Sequence, residues 1–195
     1  MNSPGLRERK KQKTRWAIQE QALRLFERQG YDGTTIDQIA AAAEISPSTF
    51  FRYFPSKEDL VIQDQYDELL MAGLKNAPPE MDVLAAIRQS AASAFQVMGP
   101  EEEARLRERS ALIMSVPSLR ARSFENFIGT MDLLRHAIAE RTGRSADDLE
   151  MRAFAGAIVG AMIGVVEVWL DDADNRSLGE LIDRILAQLQ QGAIL

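Results

Sequence analysis

The 195-residue chain contains no cysteine, which excludes a disulfide framework, a thiol nucleophile and a thiolate metal site together. It holds a single histidine, His136, so neither a histidine metal set nor a histidine-based triad can be assembled. That residue reads as structural or as surface. Strand-like alternation of apolar and polar residues is missing, and with no strand there is no strand–turn–helix phosphate loop. Long hydrophobic runs are missing too. The longest uncharged apolar stretch is the fourteen residues Ala153–Val166, short of the roughly 18 that a spanning helix needs. The N-terminus is basic without the apolar segment of a secretory signal. These absences predict a soluble, cytoplasmic protein with no membrane partner, no metal and no cofactor. They also count against an enzyme, because no nucleophile or acid–base constellation is visible.

What is present is an ordinary globular composition, 46% hydrophobic and 27% charged, in a chain long enough to bury a core. The net charge of −6 is unevenly placed. From Met1 to Lys57 there are 10 Lys and Arg against 6 Asp and Glu, whereas the remainder carries 13 against 23. The segment "LRERKKQKTR" sets six cations against Glu8 alone. A basic end on an acidic body reads either as a solvated tail or as an element for an anionic partner such as nucleic acid.

Apolar spacing of three to four residues with capping signals at the boundaries predicts an all-α fold of about nine helices. A basic flexible arm is expected over residues 1–13. A first helix follows from about Thr14 to Gln29, with Trp16, Ile18, Ala22, Leu25 and Phe26 inward and Gly30 as its stop. Thr35 and Gln38 form a capping box for a short second helix. Ser46 caps a third helix with Pro47 in its first position, where the missing N–H costs nothing. Ser56 caps the next helix, and "KNAPPEM" reads as a linker, since adjacent prolines cannot continue a helix. Helices then follow over Met81–Met98, Pro100–Val116, Pro117–Arg141, Ala146–Leu170 and, from the Ser177/Glu180 capping box, to about Gln191.

The third helix is only two turns long and carries three of the four aromatics Phe50, Phe51, Tyr53 and Phe54. So short a helix cannot hold itself up in water. At 100° per residue, Pro47, Phe50, Phe51 and Phe54 share an apolar back, and Ser48, Thr49, Arg52 and Tyr53 share an acid-free polar front. The back is expected to dock on neighbours, which supplies the stability the helix lacks. A helix, a short turn and a second helix of this kind is the helix-turn-helix arrangement, whose second helix enters the DNA major groove.

The run "RLFERQGYDGTTIDQIAAAAEISPSTFFRYFPSKEDLV" resembles the DNA-binding domain of the TetR family of bacterial transcriptional regulators, motif after motif over about Trp16–Gln63. The last segment also resembles that of mycofactocin-system-type regulators. The resemblance implies an N-terminal helix-turn-helix domain of three helices over residues 14–60, then a helical ligand-binding and dimerisation domain over 61–195. It implies DNA contacts from Thr35, Ser46, Pro47, Ser48, Thr49, Arg52, Tyr53 and Lys57, with Thr35, Tyr53 and Lys57 on phosphates. Two departures stand out. Position 51 is Phe where the family has Tyr, which removes a phenolic phosphate contact. The turn reads Ala43-Glu44-Ile45 where the family has Ala-Gly-Val, placing Glu where glycine would accept positive φ.

In the second half, Phe95, Met98, Met114, Phe124, Phe127, Met131 and Phe154 are either core or the lining of an effector pocket between helices. Met162 reads in the same way. Glu167, the only charge between Ala153 and Leu170, lines a pocket, meets an arginine across an interface or faces solvent. A small-residue ridge (Gly156, Gly160, Gly164) and the apolar stripe of "LGELIDRILAQL" predict a dimer contact dominated by Gly160, Val168, Leu181, Ile185 and Leu189. The function expected is that of a homodimeric, ligand-responsive repressor, released from a palindromic double-stranded DNA operator by a small, largely apolar effector. The alternatives are a ligand-independent DNA-binding regulator with a filled core and, less favoured, a helical enzyme.

Overall fold

The computed structural model describes residues 6–63, 66–96, 98–171 and 176–192. Residues 1–5 of the expected arm and residues 172–175, between the last two expected helices, lie outside them, as do the side chains of Arg7 and Arg9. The described residues form ten helices and no strand: α1 (Leu6–Gln29), α2 (Ile36–Ala42), α3 (Pro47–Tyr53), α4 (Lys57–Ile62), α5 (Tyr66–Asn76), α6 (Val83–Gln96), α7 (Pro100–Ser115), α8 (Pro117–Thr142), α9 (Leu149–Asp171) and α10 (Leu178–Gln190).

Two compact units result. One holds the chain up to Gln63 together with Val116–Leu119, and the other holds Asp64–Ser115 and Arg120 onward. In the first, Ile18, Ala22, Ile39, Phe50 and Phe54 are fully buried. Helix α1 starts at Leu6, eight residues before the expected Thr14, so residues 6–13 are helix and not a flexible arm. The reason is local: beyond Gly5 the run is Arg, Lys, Glu and Gln, all good helix formers, with neither Gly nor Pro to stop it. Trp16, expected inward, is 51% exposed.

The tenth helix arises because the segment capped by Ser56 is divided. Gln63 takes an extended conformation (φ −70°, ψ 124°) and ends α4. Gln19 Nε2 donates to the carbonyls of Leu60 (2.9 Å) and Gln63 (3.0 Å), which partners carbonyls that helix continuation would otherwise have used.

In the second unit, α6 packs on α5 and α10, and α10 also lies on α9. Its core includes Ile87, Leu134, Ile138, Trp169, Ile182 and Leu186. Among the glycines of this unit, the tightest approach is at Gly73, where an added Cβ would stand 2.8 Å from both Cβ and Oγ of Ser90. The expected linker is tied down by Arg141, which donates to the carbonyls of Ala77 (3.0 Å), Met81 (2.7 Å) and Pro78. Glu103 Oε1 accepts the Leu178 N–H at 2.7 Å, an acid supplied by α7 to the N-terminus of α10, where the helix dipole favours it. Helix α9 has 23 residues and includes an 18-residue window of mean hydropathy 2.0, so it is long and apolar enough by length and composition to cross a membrane, which the fourteen-residue run had not suggested.

Candidate nucleic-acid interface

The interface is built on α2 and α3, two short helices held by their caps. Thr35 Oγ1 accepts the Gln38 N–H and the Gln38 side chain accepts the Thr35 N–H, so both halves of the capping box form. Gln29 Nε2 locks the Gln38 amide from outside at 2.9 Å. Between the helices, Ile45 N donates to Ala40 O at 2.9 Å and Ala43 N to Ile39 O at 2.9 Å. Glu44 lies between them at φ 54°, the left-handed conformation that helix ends usually give to glycine. The turn is therefore the ordinary one, with Glu44 carrying the strain expected of a side chain there.

Ser46 caps α3 and its Oγ accepts the Thr49 N–H at 3.1 Å. The same oxygen stands 2.9 Å from Ser48 Oγ and 2.9 Å from Thr49 Oγ1. Three hydroxyls are thus gathered at the N-terminal end of a helix that has no acid in its first turn, the end from which groove-reading helices address base edges. Pro47, Ser48 and Arg52 are exposed, while Thr49 and Tyr53 are half-buried. The Arg52 guanidinium lies 5.4 Å from the Tyr53 ring centroid.

The apolar back is narrower than the wheel predicted. Phe50 and Phe54 are fully buried, but Phe51 is 53% exposed. Two turns place Phe51 100° from Phe50, at the edge of the buried arc, where it meets the Phe50 ring at a near-perpendicular angle and leaves about half of itself exposed. Lys57 also differs from its expected role as a free phosphate ligand. Its Nζ donates to the carbonyls of Tyr31 and Thr34, each at 2.9 Å, and sits 4.1 Å from the Tyr31 ring centroid. Two of its three N–H groups are therefore engaged within the fold, which leaves one N–H not used by these bonds.

Beside Lys57, the Tyr31 hydroxyl donates to Glu58 Oε1 at 2.9 Å. Burial, then the bond to Glu58 and the acids around it, push the Tyr31 phenol above its ordinary 10.0. Burial also acts to raise Glu58, but its own backbone N–H, the Tyr31 and Ser56 hydroxyls and the Lys57 charge outweigh it and hold the carboxyl below 4.5.

The candidate effector residues are divided. Phe95, Met98, Phe127, Met131 and Phe154 are partly buried against the core of the second unit, as is Met162. Met114 is half-buried. Phe124 is 63% exposed and leaves the set, because its turn of α8 buries Ser123 instead. Within the same unit the Trp169 indole Nε1 is buried with no hydrogen-bond partner among the described residues, while Arg107 covers the ring at 4.5 Å. Of the expected dimer residues, Gly160 and Val168 are exposed, and Ile185 and Leu189 are half-buried. Leu181 is 7% exposed and belongs to the core of its own subunit, so it cannot dominate a contact between subunits. Glu167 faces outward on α9 beside Gly164 and Val168, and His136 is exposed, with Nδ1 2.7 Å from the Asp132 carbonyl oxygen.

Residues 18–63 match the family model described as bacterial regulatory proteins, tetR family, and residues 81–193 match the one described as MftR C-terminal domain. The HTH-type transcriptional regulator TcmR of Streptomyces glaucescens is 34% identical over 186 residues, covering 89% of this chain and 80% of that protein. MftR of Mycobacterium tuberculosis, a transcriptional regulator named for mycofactocin biosynthesis, is 29% identical over 188 residues, 94% of each chain. Among solved structures, the fatty acid degradation regulator FadR from Bacillus halodurans superposes with a TM-score of 0.61 at 20% identity over 98% of both chains, a likeness of fold. An N-terminal unit that matches the tetR family model, followed by a helical unit that matches the MftR C-terminal model, makes this chain a member of the TetR family of transcriptional regulators.

Proposed function

We propose that the chain acts in the cytoplasm as a homodimeric repressor of a palindromic operator, released when a small effector binds the second unit. The observation that carries the DNA reading is the Ser46–Ser48–Thr49 hydroxyl cluster at the acid-free start of α3. Ser48 and Thr49 would touch base edges, while Thr35, Tyr53 and the third N–H of Lys57 would hold phosphates. Phosphate contacts set position, and base contacts set sequence.

The effector is a largely apolar molecule, in keeping with the partly buried Phe127, Met131 and Phe154, and it carries an acceptor for the orphaned Trp169 N–H. Its binding changes DNA affinity by favouring one spacing of the two DNA-binding units, which requires different affinities for the two states. Pairing across a two-fold axis lets one small helix-turn-helix read two half-sites.

Selection of preferred duplexes from random DNA with the purified protein tests this. Enrichment of an inverted repeat is expected. Recovery of no preferred sequence, or unchanged operator binding by a Thr49→Ala, Tyr53→Ala double variant, sinks the assignment.

A further inference from the structure

We propose that Phe51 reads a thymine methyl group in the operator, which makes it a specificity-determining residue of this chain; the inference rests on the reading that α3 enters the major groove. Phe51 is 53% exposed, whereas Phe50 on the same helix and Phe54 at its C-cap are fully buried. Its ring stands edge-on to Phe50, with centroids 5.5 Å apart and planes at 88°. Phe50 is itself immobilised in the core, so Phe51 is held outward in a defined direction. Exposed Pro47 and Ser48 lie one turn before it, at i−4 and i−3, and exposed Arg52 follows it. The phenyl therefore borders the exposed face that carries Ser48 and Arg52, 60° and 100° away on the helical wheel.

The chemistry of the groove narrows its partner. A phenyl has no donor, so placing it on a phosphate would strip water from the anion and return no hydrogen bond. Most base-edge groups in the major groove are hydrogen-bond donors or acceptors, and the C5 methyl of thymine is the apolar exception. A ring fixed at that height gains from burying one methyl and discriminates against cytosine, which offers hydrogen in its place.

The test uses the full-length protein and the duplex recovered by selection. Each thymine of a half-site is replaced in turn by deoxyuridine, which removes only the methyl, and affinity is read by fluorescence anisotropy at fixed salt. One position per half-site is expected to lose about fourfold, the weight of one buried methyl-sized group. Phe51→Ala, checked for native helicity and melting, is expected to weaken the thymine operator and to bind thymine and uracil duplexes equally. Half-sites without thymine, a flat uracil scan, or the same uracil penalty in native protein and Phe51→Ala each overturn the proposal. If Thr49→Ala still changes operator choice in that case, α3 remains the reading helix and only the methyl contact fails. If Thr49→Ala changes nothing either, the reading of α3 fails with it.

Discussion

Lys57 Nζ lies 4.1 Å from the centroid of the Tyr31 ring and 2.9 Å from the carbonyl oxygen of that same residue. With its second bond to Thr34 O, the ammonium closes the turn between α1 and α2 and ties it to the start of α4. Lys57→Ala is therefore expected to lower stability as well as DNA affinity, by about 1–2 kcal/mol, the range for a charged hydrogen bond in part-exposed surroundings. It should also flatten the salt dependence of binding by about one unit of slope. Urea unfolding and a salt titration read the two effects separately, and unchanged stability would show that the turn does not depend on the lysine.

The Tyr31–Glu58 bond makes the same unit sensitive to pH at both ends. Glu58 is held below 4.5 in the folded chain, so its contribution is present above pH 4.5 and is lost as pH falls through the lowered value. Tyr31 is raised above 10.0, so its contribution is present below pH 10 and is lost as pH rises toward the folded value. Tyr31→Phe should abolish the alkaline loss and weaken the acid one. Urea midpoints measured from pH 3 to 11 check this, and an alkaline limb unaltered in Tyr31→Phe would refute it.

Glu44 occupies a left-handed conformation at φ 54° with its turn hydrogen bonds complete. Glycine in that place should relieve the contact of Cβ with the following carbonyl and stabilise the protein by about 1 kcal/mol. Calorimetry of Glu44→Gly is expected to show a raised Tm with unchanged operator choice. A lowered Tm would mean that the Glu44 side chain, not the backbone, governs this turn.

The outward face of α9 (Gly160, Gly164, Val168) and the half-buried Ile185 and Leu189 of α10 define the surface proposed for the second subunit. Val168→Asp should give a folded monomer by light scattering, with weak binding to a palindromic duplex, because Val168 is 54% exposed and no core residue is touched. Leu181→Ala should instead destabilise the fold by about 2–5 kcal/mol, as truncations of a buried leucine do. A Val168→Asp dimer of native affinity would place the interface elsewhere.

Residues acting on near neighbours in the chain could be read from the sequence alone. The capping boxes of Thr35 with Gln38 and Ser177 with Glu180, and the Ser46 cap before Pro47, are contacts three residues apart. The left-handed residue at Glu44 was anticipated only through the family resemblance, whose turn has glycine there, and the structure shows it as a strained glutamate and not as a different turn. The all-helical fold was legible in the residues themselves, because a spacing of three to four residues is a property of each segment by itself.

The tertiary structure decided which side of a helix is covered and which groups meet across long separations. A two-turn helix offers too few residues to define its buried arc, so Phe50 and Phe51 look alike until α3 is docked, yet one is fully buried and the other half exposed. Trp16, Phe124 and Leu181 have the same apolar chemistry in sequence, and only packing separates the exposed first two from the core leucine. Lys57 depends on two carbonyls 23 and 26 residues away, and the division of α4 from α5 on the Gln19 side chain 41 and 44 residues away. A charged or amide side chain can satisfy any acceptor in reach, and reach is settled only when the chain has folded.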